Sequence, residues 1–301
     1  MKTSQTYASP TAFKQALEQR LRTASATGVD FARRRQLLVF DRFLARVVQV
    51  MGDTVLLKGG LVIELRMERA RTTKDVDLRL TGSSADVLER LRQAGRLDLG
   101  DFLAFEIRPD PEHPDIRQDG MPYEGFRYRA EAKLAGKPYG QPFGVDVAFG
   151  DPIVGEPDVV VTDDLLGFAG VAPPTLHLYP IESHIAEKLH AYTLPRQREN
   201  SRVKDLPDLA LLGRIREIDA THLRQALERT FAFRNTHPLP AAIPAPPASW
   251  KIPYQRMADE DDLPWRTLAD VLSAVGGFLD PVLRGGPVRR WSPTMWTWSQ
   301  A

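Results

Sequence analysis

The spacing of apolar residues changes period along the chain, and the changes mark its elements. Pro10 to about Arg22 follows Ser9, whose hydroxyl suits the free N–H groups of a helix start. Asp30 opens a longer stretch in which Phe31, Leu37, Leu38, Phe40, Phe43, Leu44 and Val47 recur at helical spacing. Val55-Leu56-Leu57 reads as a short apolar strand that Gly59-Gly60 ends, and Leu61 to Glu68 predicts a short helix. Asp75 to Leu80 alternates with the period of two of a strand, and Ser84 to Ala94 predicts a helix. Phe102–Arg108, Gly125–Leu134 and Phe143–Phe149 alternate as strands, with Pro109, Pro111, Pro114, Pro138 and Pro142 between them.

The helical period returns after Pro180, over Ile181–Leu194, Lys204–Arg214 and Asp219–Phe231. Pro238 to Pro253 is rich enough in proline to predict a linker without regular structure. A last helix is expected at about Leu263–Leu283, with Trp291, Trp296 and Trp298 as anchors packed on the core. This order gives an α/β (α+β) fold. A mixed-sheet domain with N-terminal helices is expected over residues 1–175, followed by a mainly helical domain over 176–301 that completes a cleft.

Composition narrows the chemistry. The 301 residues suffice for one large core or two modest ones. The absence of cysteine excludes a disulfide framework, a thiolate metal site and a cysteine nucleophile. No stretch approaches the roughly 18–20 apolar residues that span a bilayer, and the first residues are polar, so a cytoplasmic protein with no membrane partner is expected. The net charge of +1 conceals nine Lys/Arg against three acids within residues 1–50. Such a segment suits a polyanion, or is a solvated helix surface.

Two local patterns carry candidate chemistry. Lys58-Gly59-Gly60 ends a strand at the start of a helix, where glycine lets the backbone approach a phosphate and the helix terminus offers free N–H donors. Asp75 and Asp77 alternate with Val76, so both carboxylates share one face. Two such charges are unfavourable together unless a cation lies between them, and Mg²⁺ is a hard cation that takes carboxylate oxygens and retains places for phosphates. Asp146, among apolar neighbours in Phe143–Phe149, is a third carboxylate, either metal-bound or salt-bridged. Further on, Ile181 to Ala191 is amphipathic and carries Lys188. Arg202-Val203-Lys204-Asp205-Leu206-Pro207-Asp208 puts Asp205 and Asp208 on one helix face, provided that Pro207 lies in the first turn.

In this order, the motifs resemble the DNA polymerase β-type nucleotidyltransferase superfamily and, within it, the AbiEii/AbiGii-type (MenT-like) toxin nucleotidyltransferases. The resemblance runs from about Leu56 to Leu212. It rests on Lys-Gly-Gly, on Arg71-Thr72-Thr73-Lys74-Asp75-Val76-Asp77, on the Glu187-Lys188-Leu189-His190-Ala191 helix and on the Asp205/Asp208 helix. Pro207 stands where that pattern has a large apolar or aromatic residue.

The resemblance implies a polymerase-β-like domain, a divalent ion (Mg²⁺ or Mn²⁺) on Asp75, Asp77 and Asp146, and an NTP co-substrate. It implies catalytic roles for Asp75, Asp77, Lys188 and Asp205, with Asp208 the other candidate for the last acid. Lys58, Gly59, Gly60, Thr73 and Arg71 would contact the nucleotide, with Arg66 and Arg69 as further phosphate candidates. It implies a toxin with a cognate antitoxin, moving a nucleotide to the 3′ end of tRNA and blocking aminoacylation and translation. Arg196, Arg198, Arg202 and Lys204 would suit the acceptor stem. The same Asp-x-Asp core serves transfer to a protein hydroxyl or a small molecule such as an aminoglycoside. A non-catalytic binding protein could share the fold, and a metal-dependent hydrolase could use the same paired aspartates.

Overall fold

The computed structural model describes residues 7–67, 73–115, 125–150, 152–196 and 202–300. Helices α1 (Pro10–Thr23) and α2 (Gly28–Met51) come first, followed by β1 (Val55–Lys58), α3 (Gly59–Arg66), β2 (Val76–Leu80) and α4 (Val87–Arg96). Ser9 and Thr27 cap α1 and α2 by accepting hydrogen bonds from Ala12 and Asp30 N–H groups. Strands β3 (Leu103–Pro109), β4 (Gly125–Leu134), β5 (Lys137–Pro138), β6 (Phe143–Ala148), β7 (Asp158–Val161) and β8 (Thr175–Leu178) complete the sheet. It is mixed, in the order β3-β4-β6-β2-β1-β8-β7, with β5 on β4. The pairs β2/β6 and β1/β8 are parallel, and the other pairs are antiparallel.

The second half holds α5 (Ile181–Thr193), α6 (Asp205–Ile215), β9 (Ile218–Asp219), α7 (Ala220–Arg234), α8 (Lys251–Glu260), α9 (Leu268–Leu283), β10 (Val288–Ser292) and β11 (Thr297–Gln300). Strands β9 to β11 form a separate antiparallel sheet. Two apolar clusters result. One joins the large sheet to α1, α2 and α4, and the other joins α5, α6, α7 and α9 to Trp250, Trp291 and Trp298. Helix α3 lies between them, with Leu61 and Val62 in the first cluster and Ile63 in the second.

Several expectations change. The linker ends early, because α8 starts at Lys251 and includes Pro253; in a first turn proline forfeits no intrahelical hydrogen bond. Pro207 likewise falls in the first turn of α6. Helix α3 begins at the glycines themselves and α9 begins at Leu268, after a Thr267–Asp270 capping box. Strands β5 and β7 to β11 lie outside the expected strands, and β8 carries the sheet past the division expected at 175/176.

Of the basic N-terminal residues, Arg42 and Arg46 are turned inward, whereas Arg20, Arg22 and Arg34 are exposed. Arg46 and Arg42 are buried on Asp101, with Arg46 Nη2 to Asp101 Oδ1 at 2.5 Å and Arg42 Nε to Asp101 Oδ2 at 2.9 Å. Arg33 pairs with Glu64, Arg34 with Asp30 and Arg35 with Glu18. Arg42 and Arg46 thus neutralise an internal acid, and the exposed cations of the segment lie on α1 and α2.

Candidate active site

The glycine turn and the paired aspartates meet because β1 and β2 are antiparallel neighbours, with Lys58 opposite Asp77. Gly59 has φ +71°, and a Cβ there would overlap the Asp77 carboxylate, so residue 59 must be glycine for both space and backbone conformation. Asp75 lies just before β2 and accepts a hydrogen bond from Gly144 N–H at 3.2 Å. A Cβ at Gly144 would stand 2.6 Å from that carboxylate oxygen. The two acids are thus seated on two glycine positions.

Parallel pairing of β2 with β6 places Asp146 directly beside Asp77. The Asp146 carboxylate is engaged by Arg127, with Nε to Oδ1 at 2.7 Å and Nη2 to Oδ2 at 2.6 Å. That bidentate pair raises the proton affinity of Arg127. Burial and the Asp146 charge push Asp77 up to about 6, against the pull of Lys188 and Lys58. Burial is the larger cause and the Asp146 carboxylate adds to it, an environment that a cation beside Asp77 would relieve. Among the described residues, no three His, Cys, Asp or Glu side chains are gathered into a ready metal cage. Asp75 and Asp77 with substrate phosphate oxygens suit Mg²⁺ better than an all-protein cage would.

The helical half supplies the opposite wall. Lys188 Nζ donates to Asp205 Oδ1 at 3.0 Å and Asp208 Oδ2 at 2.8 Å. Arg202 Nε donates to Asp205 Oδ2 at 2.5 Å. Asp205 is at the first position of α6, where the positive helix end favours a carboxylate. Asp205 borders the cleft and Asp208 is not among its lining residues. Lys58 Nζ donates to Glu187 Oε2 at 2.6 Å, and Arg234 Nη2 lies 3.4 Å from the same oxygen. Burial works against the Glu187 charge, but Lys58 and Arg234 outweigh it and hold the carboxyl down to about 2.

These groups enclose one cavity of about 520 Å³. Its lining includes Lys58, Gly59, Gly60, Thr73, Asp75, Asp77, Asp146, Lys188 and Asp205, residues that lie far apart in the chain. Thr73 is buried, and its carbonyl accepts from Arg33 Nη1 at 2.9 Å. Arg71, Arg69 and Arg198 lie outside the described residues. Arg66 does not reach the cleft: it pairs with Asp158 and donates to the Tyr179 carbonyl at 3.3 Å. Lys204 borders the cavity and Arg196 does not; Arg196 donates to the Ala191 carbonyl at 3.5 Å.

Sequence reading missed Arg127, His184, Glu187 and Arg234 as lining groups. His184 is buried, and among the described residues neither ring nitrogen has a hydrogen-bond partner. Burial and the Lys188 charge hold it neutral, down to about 3. Its place one turn before Lys188 was the available signal.

A mixed sheet with a glycine turn against an Asp-x-Asp strand defines the nucleotidyltransferase class. The chain belongs to the AbiEii family of nucleotidyl transferase toxins, of type IV toxin–antitoxin systems, whose sequence profile matches residues 42–274. Membership implies an NTP substrate, a divalent metal ion and an antitoxin partner. Among solved structures the chain is similar to MenT4, a nucleotidyltransferase toxin from Mycobacterium tuberculosis H37Rv. Identity is 18% over 70% of this chain and 68% of that one, with a TM-score of 0.49. It is also similar to JHP933 from Helicobacter pylori, at 15% identity over 66% of this chain and 80% of that one, with a TM-score of 0.40. No curated protein matches the chain. Among the described residues no helix is long and apolar enough to cross a membrane.

Proposed function

We propose that the cleft transfers a nucleoside monophosphate from an NTP to the 3′-terminal hydroxyl of tRNA, with Mg²⁺ as the physiological ion. The observation that carries this reading is the single cavity in which Asp75 and Asp77 face Lys188 and Asp205 across the glycine turn. The division of labour follows the two halves: a transfer domain formed by the large sheet and a helical domain that closes the cleft over it.

Gly59, Gly60 and Lys58 cradle the triphosphate, with backbone N–H groups at the start of α3 and a charge at its side. Lys188, held by Asp205 and Asp208, presents its ammonium to the phosphates. Thr73, whose carbonyl is held by Arg33, lines the cavity and contacts the substrate there. When bound at Asp75 and Asp77, Mg²⁺ supplies Lewis-acid stabilisation of the charge that develops on the transferring phosphoryl group. The acceptor oxygen bonds to the α-phosphorus, the bond to the bridging oxygen breaks, and pyrophosphate leaves. The hydroxyl proton is released to the carboxylate side of the cleft.

The tRNA acceptor is favoured by the cations at the rim. Lys74 and Lys204 line the cavity beside the Arg127–Asp146 and Arg202–Asp205 pairs, and clustered cations favour a phosphate-rich acceptor. Incubation with α-labelled NTPs and Mg²⁺, with either total tRNA or a nucleic-acid-free lysate, tests the acceptor. Label at RNA 3′ ends is expected. Label confined to protein or small molecules overturns the tRNA assignment and leaves nucleotidyl transfer itself standing.

A further inference from the structure

We propose that His190 is a positioning residue for the nucleotide-binding wall: with Thr236 and His237 it fixes the orientation of Arg234 and, through Glu187, that of Lys58. This rests on the reading of the cleft as a triphosphate site.

Arg234, the last residue of α7, is buried yet borders the cleft. Its Nη2 faces the Glu187 oxygen that also holds Lys58. Its Nη1 lies 3.3 Å from Nδ1 of His190 on α5. A guanidinium donates and never accepts, so Nδ1 must present its lone pair and the neutral ring carries its proton on Nε2. That N–H then donates to Thr236 Oγ1 at 2.8 Å. The Thr236 hydroxyl has its own hydrogen left for Nδ1 of His237, at 2.9 Å. His237 in turn carries its proton on Nε2 and donates to Thr193 Oγ1 at 2.8 Å. The Thr193 hydroxyl closes the series on the Leu189 carbonyl at 2.9 Å. One obligate donor, Arg234, thus sets the direction of every later bond.

The backbone and the ring packing hold this arrangement in place. Asn235 adopts φ +46°, turning the chain back after α7 so that Thr236 and His237 return onto α5. The rings of His190 and His237 lie 4.7 Å apart, and each is 5.0 Å from Phe231. Burial, followed by the Arg234 charge, holds His190 neutral, down to about 3. Neither His190, Thr236 nor His237 is among the cleft-lining residues. Their effect on a nucleotide passes through Arg234 and Glu187.

The test is calorimetric titration of each of the four ribonucleoside triphosphates, with Mg²⁺, into wild type, His190→Leu, His190→Asn and Thr236→Val. The asparagine amide oxygen can take the place of Nδ1 and accept from Arg234, whereas leucine cannot. For the preferred NTP, His190→Leu is expected to weaken binding about tenfold, the scale of one charge-assisted hydrogen bond. His190→Asn is expected to recover to within about threefold of wild type, and Thr236→Val to fall between the two variants. Wild-type affinity in His190→Leu, or equal losses in the leucine and asparagine variants, overturns the proposal. If His190→Leu does not fold, wild-type affinity in Thr236→Val, a half-buried site, overturns it equally. Failure of the wild type to bind any of the four NTPs instead overturns the reading of the cleft.

Discussion

The carboxylate of Asp77 occupies the space that a Cβ on Gly59 would fill. Gly59 in its turn and Asp77 on the neighbouring strand are therefore one steric unit. Gly59→Ala must both adopt φ +71° and displace the carboxylate. A stability loss of about 2 kcal/mol and a loss of transfer of at least about a hundredfold are expected. Chemical denaturation and initial-rate measurements on the purified variant check both.

Asp77 carries a stability cost that the proposed metal-binding role would explain. Its folded-state proton affinity, raised from 3.8 to about 6, means that the native protein binds more protons than the unfolded chain between those values. The stability contribution of this group is therefore lost as pH rises through about 6. Asp77→Asn should abolish transfer, yet raise the melting temperature of metal-free protein at pH 7.5 by a few degrees. The shift corresponds to an upper limit of about 3 kcal/mol. Added Mg²⁺ should stabilise wild type and leave Asp77→Asn unaffected.

The buried histidines act with the opposite sign. His184 and His190 are each held down to about 3 from 6.5. Below pH 6.5 the unfolded chain takes up protons that the native state refuses, so stability is present above 6.5 and is lost as pH falls toward 3. Thermal melts from pH 7.5 to 4.5 should show a steep fall, and His190→Asn should flatten it. Equal slopes in the two proteins contradict the assignment.

Asp205 and Asp208 share the Lys188 ammonium, but only Asp205 borders the cleft. Asp205→Asn should reduce transfer at least about a hundredfold, the scale of a lost active-site charge. Asp208→Asn should act mainly on stability, because it leaves half-buried Lys188 short of a counter-charge. Measuring initial rates and unfolding free energies side by side separates the two roles.

Asp146 has two candidate duties, joining the metal carboxylates and holding Arg127. If the first dominates, Asp146→Asn should cost clearly more activity than Arg127→Met at saturating NTP. Equal losses would mean that the pair acts only as a rim ion pair.

Much of the site was legible because its motifs are local. Gly59-Gly60, Asp75 and Asp77, Lys188, and Asp205 with Asp208 each sit within a few residues, where helix and strand periodicity decides which side chains share a face. What escaped depends on register and on pairing between distant segments. Arg127 meets Asp146 only because β4 pairs with β6 at those positions, and strand alternation does not reveal register. Lys58 and Arg234 meet on Glu187 across the two halves of the chain. Asp146 was expected to be metal-bound or salt-bridged; the salt bridge is present, and the residue lies beside Asp77 in the sheet. The inward placement of two arginines of residues 1–50 escaped for a related reason: a count of arginines does not show that Asp101 waits inside to receive two of them. Strands β7 and β8 are four residues each, and β7 exposes Val159 and Val161, so the amphipathic signal there is weak.

The most direct measurement is pyrophosphate release from each NTP with Mg²⁺ and total tRNA, for wild type and Asp77→Ala. tRNA-dependent release with at least one NTP is expected, and its loss in Asp77→Ala. Release that persists in Asp77→Ala, or no release with any NTP or acceptor, would contradict nucleotidyl transfer at this cleft.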